Sequence, residues 1–378
     1  MSTTVCLAPG TTLRFLNLGG HLWVYLNWAL GLRALGCRVI WLDQARSTES
    51  VDKIRKNITT LKGYLESFGL ADSLAVHSKD GKPLPSGATD GCLNLDDAAS
   101  ESDLLLNFGY SKFPEVVARF RKSALLDIDP GLLQSWLAGG QISIAPHDVY
   151  FTIGETVGQP GSRVPDDGRR WQYTRPCVAL DSWPRREALD TAPFTTVTNW
   201  DGEWMKDRDG VYKNDKRSGF LPFMDLPRHT SQALELAVYL HHEDEKDRLA
   251  LQEHGWRIRH SHEVSGTPSD YQTYIQTSRG EFSAVKPSCI RMQNAWISDR
   301  TLCYLASGKP AVVQHTGQSR FLPDAEGLLR FHNLEDAARC LDVVATDYER
   351  HSQLARSLAE EYFDARKVVR SILERALS

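Results

Sequence analysis

Short runs rich in Val, Ile, Leu and Phe alternate along the chain with longer segments in which apolar positions recur every third or fourth residue. Runs of the first kind read as buried strands, and segments of the second as helices that hide one face. The first unit is the clearest: TVCLA at 4–8 is a strand, an apolar helix follows over 22–35, and a second strand runs over 38–42. Gly36 closes that helix, because glycine just past a helix end turns left-handed without a Cβ clash. Strand, helix and strand in that order place the two strands parallel. The same alternation predicts strands over 104–108, 124–128 and 149–153 and helices over 51–68, 114–121 and 132–138, which complete one sheet.

A second series starts near Phe194, with strands expected over 234–240 and 256–260 and helices over 244–254 and 269–277. The stretch 334–377 is helical almost throughout and long enough to pack across both halves. Three polar segments, 78–103, 155–175 and 201–219, exceed ordinary connections and are either mobile or part of a binding site. The expected class is α/β: an N-terminal Rossmann-like domain over 1–190, a C-terminal one over 191–345, and a long helical segment over 346–378 packed across them.

Composition narrows the partners. A charged fraction of 24%, a hydrophobic fraction of 41% and a formal net charge of -4 fit a soluble globular protein without a broad polyanion-binding face, which disfavours nucleic acid. The densest basic stretch, 206–217, interleaves Asp207, Asp209 and Asp215 with its Lys and Arg residues and reads as a solvated loop. Seven cysteines form no CxxC pair, and an odd total fits reduced thiols and a cytoplasmic location. The first residues lack the basic and apolar regions of a secretion signal. The longest apolar stretch, 22–35, is interrupted by Asn27 and Arg33 and is too short for a bilayer, so no integral membrane association is expected. His147, the His241/His242 pair and the His260/His262 pair complete no ligand set, so no metal site is expected.

The stretch 281–331 carries the most chemistry. It reads as a strand over 281–285, a loop, a helix that begins near Trp296 and ends at Gly308, and a strand over 310–314. A helix start offers free N–H groups and the positive end of its dipole to the preceding loop, which suits a diphosphate. Ser298, Arg291 and Arg300 flank that start and Lys286 ends the strand, so cations would surround a doubly charged leaving group.

Four segments in order, LNLGGHLWVYLNWALGLRALGCRVIWLD near the beginning, LLDIDPG at 125–131, YFTIGETVGQ at 150–159 and SDRTLCYLASGKPAVVQ at 298–314, resemble the GT-B glycosyltransferases, in particular bacterial family 1 or CgeB-like proteins. The resemblance covers most of the chain. It implies two Rossmann-like domains facing across a cleft, with the acceptor on the first and the donor on the second. It also implies a hexosyltransferase-like activity: a sugar passes from a nucleoside diphosphate sugar, UDP- or dTDP-linked, to an acceptor without a cofactor or essential metal. In retaining members of this fold a Glu stands five residues before the Gly that ends the phosphate helix and binds the donor ribose. Here that position is Cys303, and the nearest acid is Asp299, one turn earlier. The resemblance places Glu281 near the sugar hydroxyls, Thr316 and Gly317 against donor sugar or phosphate, and the loop around His262 and Val264 against the nucleobase through its backbone.

Several of these residues also have an intrinsic chemistry. His21 follows Gly19 and Gly20, which would let a ligand approach the backbone or simply make a positive-φ turn. Its imidazole suits a base for an acceptor hydroxyl, a donor to phosphate or sugar oxygen, or a helix cap. Glu281 could bind sugar hydroxyls or stabilise positive charge at the anomeric carbon. With His21 as base inversion is expected; with Glu281 on the front face retention is possible. Asp127 and Asp129, at the strand edge where α/β sheets place ligands, and Glu155 are the acceptor-side candidates, although Asp before Pro-Gly is equally a turn former. The acceptor itself is not legible. A sugar-nucleotide epimerase of the same architecture, or a catalytically silent nucleotide- or glycan-binding protein, are the alternatives.

Overall fold

The computed structural model describes residues 3–110, 114–207 and 210–378. Asp209 of the basic stretch therefore lies outside the described residues. The first half builds a sheet of β1 (Thr4–Ala8), β2 (Arg38–Ala45), β3 (Leu74–Ser78), β4 (Leu104–Asn107), β5 (Ser123–Asp127), β6 (Val149–Thr152) and β7 (Trp171–Tyr173). Its order is β3-β2-β1-β4-β5-β6-β7, with every neighbouring pair parallel. The second half contributes β8 (Phe194–Asn199), an antiparallel hairpin of β9 (Glu203–Asp207) and β10 (Gly210–Asn214), then β11 (Leu234–Tyr239), β12 (Arg257–His260), β13 (Gly280–Ser283), β14 (Ala311–Gln314) and β15 (Leu328–Phe331). Apart from the hairpin these form a second parallel sheet in the order β12-β11-β8-β13-β14-β15. Parallel strands covered on both faces have no solvent side, which is why β1 and β5 are buried along their whole length.

The helix Gly19–Ala34 begins earlier than expected and joins the two halves. It is apolar nearly all round because it has two dry faces. One lies on the first sheet; the other meets the Pro268–Thr277 helix of the second half and the terminal Ala365–Leu377 helix. Trp23 donates its indole N–H to the Pro268 carbonyl at 2.8 Å. One hydrophobic cluster runs from Val5 through Trp23, Trp183 and Tyr271 to Leu302 and Ile372, so the halves share a core, and a separate cluster around Phe282 and Phe331 belongs to the second half.

The helical tail is three helices, Leu334–Thr346, Tyr348–Tyr362 and Ala365–Leu377. The first buries Ala337, Leu341 and Val344 in the core of the second half, and the last buries Val369 and Ile372 in the shared core. At the last break Val178 N–H donates to the Phe363 carbonyl and Ala365 N–H to the Val178 carbonyl, at 2.8 and 3.0 Å, fixing the return to the first half. The polar segment 201–219 proves to be the β9–β10 hairpin plus the helix Lys216–Phe220.

Candidate functional site

The carboxyl ends of the second sheet face the start of the Gly19–Ala34 helix, the edge at which open parallel sheets bind ligands. The Asp299–Ala306 helix starts here, with Ser298 as N-cap: its Oγ accepts from Arg300 N–H at 3.3 Å. That helix start, with Gly20, His21, Thr198, Asn199 and Ser261, lines an interdomain cleft of about 290 Å³. The proposed phosphate-binding helix end is thus neither buried in protein nor turned away from His21.

Arg300 anchors the floor of the cleft. Its Nε donates to Glu281 Oε1 at 2.8 Å, Nη1 to the Val197 carbonyl at 2.9 Å and Nη2 to Ser283 Oγ at 2.6 Å. Burial is the largest single effect and opposes its charge, but the Glu281 carboxylate together with Tyr271 and Tyr304 raises its pKa overall. Glu281 is wholly buried, with its ion pair spent on Arg300. It holds Arg300 through Oε1, while its Oε2 is buried without a hydrogen-bond partner, and Arg300 ties the ends of β8 and β13 to the helix start.

A smaller cavity of about 80 Å³ adjoins this one, lined by Asp129, Lys216, Lys286, Ser288 and Trp296. Lys216 is buried, with its Nζ donating to the Ala284 carbonyl at 2.6 Å. Burial, then the neighbouring Arg300 cation, pushes its pKa down to about 7. Asp299 moves the other way, lifted by burial to about 6, with Arg300 holding it down and Asp129 adding repulsion. These mutual effects make the two cavities one electrostatic unit, with cations on the second half and Asp129 facing them from the first.

His21 projects into the larger cavity with its ring edge-on to Phe15 and Tyr25, at centroid distances of 5.5 and 5.2 Å. Burial lowers its pKa to about 4, so the imidazole is neutral at physiological pH, and Nε2 is buried without a hydrogen-bond partner. The ring is uncharged, but its unpaired nitrogen is closed off, so a hydroxyl reaches it only where the groups around it part.

The cleft thus brings together Gly20, His21, Ser298, Asp299 and Arg300, with Asp129 and Lys286 in the adjoining cavity. Gly20 has a second contact as well, and the remaining candidates lie elsewhere. Gly19 and Gly20 are helical and neither has positive φ. A Cβ on Gly19 would stand 2.0 Å from the Thr267 carbonyl oxygen and one on Gly20 2.8 Å from the Tyr271 ring, so their smallness lets the two halves meet. Arg291 is engaged bidentately by Asp207, at 2.6 and 3.0 Å, and lies over the Tyr212 ring outside the cleft. Val264 sits in a core cluster with Ala237 and Tyr274 on a short helix, Ser261–Ser265, whose two terminal serines reach the cleft instead. Thr316 donates to the Trp296 carbonyl at 2.6 Å, and Gly317 leaves room for Gln293; both clamp the loop before the helix rather than face the cleft.

On the first half, Asp127 is fully buried and accepts from Tyr110, Gln134, Thr152 and the Asp129 N–H, which satisfies it as a turn anchor. Glu155 accepts from Ser319 Oγ and Arg320 N–H, so it staples the halves together rather than meeting an acceptor. Cys303 is buried against the Asn27 amide of the first half at 3.8 Å, and the side of the helix that carries the ribose-binding Glu elsewhere is here part of the domain contact. Lys216, Thr198, Asn199, Ser261 and Ser265 were not singled out in the sequence. For Lys216 a signal existed: Asp215 caps a short helix whose Gly219 and Phe220 are buried, which pulls the lysine inward. Among the described residues no group of three or more His, Cys, Asp or Glu is arranged to hold a metal ion.

No protein-family model matches the chain, and no curated protein matches it. Solved structures do. An alpha-glucosyltransferase in complex with UDP and a 13-mer DNA containing an HMU base aligns over 100% of both chains at 10% identity, with a TM-score of 0.60. Sucrose-phosphate synthase from Thermosynechococcus elongatus aligns over 99% of this chain and 98% of its own at 9% identity and a TM-score of 0.55. HepE from Anabaena, in complex with UDP and glucose, aligns over 99% of both chains at 11% identity and a TM-score of 0.53. At these identities the likeness is one of fold: two parallel α/β domains in the GT-B arrangement.

Proposed function

We propose that this GT-B chain transfers a sugar from a nucleoside diphosphate sugar, UDP- or dTDP-linked, to a hydroxyl of an acceptor bound on the first half. The observation that carries the reading is an interdomain cleft that holds a capped helix start, next to a second cavity that Lys216 and Lys286 line. Two of the solved structures named above, the alpha-glucosyltransferase and HepE, are complexes with UDP, which supports a nucleotide as a ligand here. The nucleoside lies against Thr198, Asn199, Ser261 and Ser265, whose hydroxyls and amide offer ribose partners in place of the carboxylate that Cys303 replaces. The diphosphate lies between the helix N–H groups and the two lysines, where its charge compensates cations that burial disfavours.

In the transfer, the acceptor oxygen bonds to the anomeric carbon, the bond from that carbon to the diphosphate oxygen breaks, and the acceptor proton passes to His21 or to solvent. A proton taken by His21 gives an inverted product; a retained product would assign His21 to holding a sugar hydroxyl. A nucleotide-binding protein without turnover is the second reading, and the burial of Cys303 against Asn27 favours it. Incubation with UDP-glucose, UDP-galactose, UDP-N-acetylglucosamine and dTDP-glucose separates the two. Release of nucleoside diphosphate that collapses in Lys216→Met and Lys286→Met supports transfer, whereas tight UDP binding without release supports the silent reading. Folded protein that binds neither UDP nor dTDP would end both.

A further inference from the structure

On the first half a separate cavity of about 210 Å³ lies at the carboxyl ends of β1, β2 and β3 and is lined by Thr11, Arg14, Gln44, Arg46, Lys53 and Lys79. Arg46 and Lys79 each directly follow a strand, and because Ala45 pairs with Ser78 in parallel register, the two cations emerge side by side. Lys79 N–H donates to the Ala45 carbonyl at 2.8 Å, which fixes that spacing. The opposite wall is equally rigid. The buried Asp43 carboxylate accepts from Thr12 Oγ and from Leu13 N–H, so the turn that presents Arg14 is pinned to β2. Gln44, also buried, donates Nε2 to the Gly10 carbonyl at 3.0 Å and closes the floor.

The charge is unbalanced. Glu49 is the acid lining the cavity, and its carboxylate is taken by Lys53 at 2.7 Å and the Arg46 N–H at 3.2 Å. Asp80 nearby is turned to the hydroxyls of Ser47 and Ser78. Among the described residues no carboxylate pairs with the side chains of Arg14, Arg46 or Lys79. Arg14, Arg46, Lys53 and Lys79 line the cavity against the single lining acid Glu49, which also acts on Arg46, and this excess of positive charge fits a compact dianion.

The position connects this cavity to the transfer cleft. Arg14 lies 5.3 Å from the Phe15 ring, and the same ring meets His21 edge-on at a centroid distance of 5.5 Å. Phe15 therefore touches both a cation of this cavity and the imidazole of the transfer cleft. We propose that this cavity binds a phosphate monoester carried by the acceptor, so that the acceptor is a phosphorylated molecule of about sugar size whose free hydroxyl reaches past Phe15 to the donor cleft. This deepens the transferase reading and rests on it.

The test uses the full chain with UDP bound, titrated calorimetrically with inorganic phosphate, with glucose 6-phosphate and fructose 6-phosphate, and with the same hexoses lacking phosphate. Saturable binding of the phosphorylated probes is expected, weakening with added salt, with the bare hexoses at least about tenfold weaker. Arg46→Gln/Lys79→Gln should lose about tenfold in affinity for the same probes while its UDP affinity and melting temperature stay those of the parent. Three results would overturn the proposal. They are no saturable binding of inorganic phosphate or hexose phosphates to the parent, undiminished binding in the double variant, and a short DNA strand bound through these residues where phosphate monoesters are not. Loss of UDP binding in the parent is a different failure, that of the donor site, and the same titration reads it separately.

Discussion

Replacing Glu281 distinguishes a structural anchor from a catalytic acid, and the structure sets the size of the effect. The Glu281→Ala change would leave the Arg300 guanidinium in place, with its side chain 11% exposed and its Nε deprived of a partner 2.8 Å away. Removing one member of a buried ion pair costs ~3–5 kcal/mol, because the survivor stays charged and desolvated. Removing both charges costs far less, so Glu281→Ala/Arg300→Met should recover most of that loss. Guanidinium unfolding at neutral pH, followed by far-ultraviolet circular dichroism, reads both variants against the parent. The single variant should unfold at clearly lower denaturant, and the double variant should lie between it and the parent. A single variant as stable as the parent, or a double variant no better than the single, would refute the anchoring role and return Glu281 to the chemistry.

Three further expectations concern the cleft and the domain contact. UDP affinity should fall as pH rises above about 7, by up to about tenfold per unit, because Lys216 must be protonated to meet the diphosphate; titration calorimetry at several pH values should show that slope absent from Lys216→Met. His21 titrates at about 4 when folded and at 6.5 when unfolded. Between those values the unfolded chain binds a proton that the folded one refuses, so stability falls as pH drops through this window. His21→Asn should lose that share of the slope in urea midpoints measured at pH 5 and 7. Gly19→Ala should cost ~2–3 kcal/mol and lower the melting temperature, since its Cβ would stand 2.0 Å from a backbone oxygen that cannot rotate away, whereas Gly20→Ala meets a ring that can shift and should cost less.

Local signals carried most of the architecture. The strand, helix and strand that open the chain are marked by a glycine cap and unbroken apolar runs, and the structure holds β1, the Gly19–Ala34 helix and β2 there. Elements without such marks were missed. β7 is three residues long, the hairpin strands β9 and β10 are mostly polar and expose Trp204 and Val211, and the Pro287–Met292 helix is under two turns. At the site, the helix start with Ser298, Asp299 and Arg300 was legible because a cap and a closing glycine bracket it. Glu281 was placed on the correct strand, but its pairing with Arg300 depends on how a helix folds back over that strand, which spacing does not encode. Lys216 was hidden because its neighbours are charged, and only the packing of Phe220 draws it inward. The glycines before His21 mark a close approach, and what approaches is the second half, through the Thr267 backbone at Gly19 and the Tyr271 ring at Gly20.

The Ala365–Leu377 helix lies against the Gly19–Ala34 helix, where Gly31 makes way for Ala365. On the ribosome the first sheet emerges early, but the residues that seal its outer helix are made long after it. Until Val369 and Ile372 leave the exit tunnel, one side of the opening helix has no permanent cover. The newborn chain must keep that surface from other polypeptides while everything between Ala34 and Ala365 is made, and a chain cut before Ala365 would leave it uncovered for good.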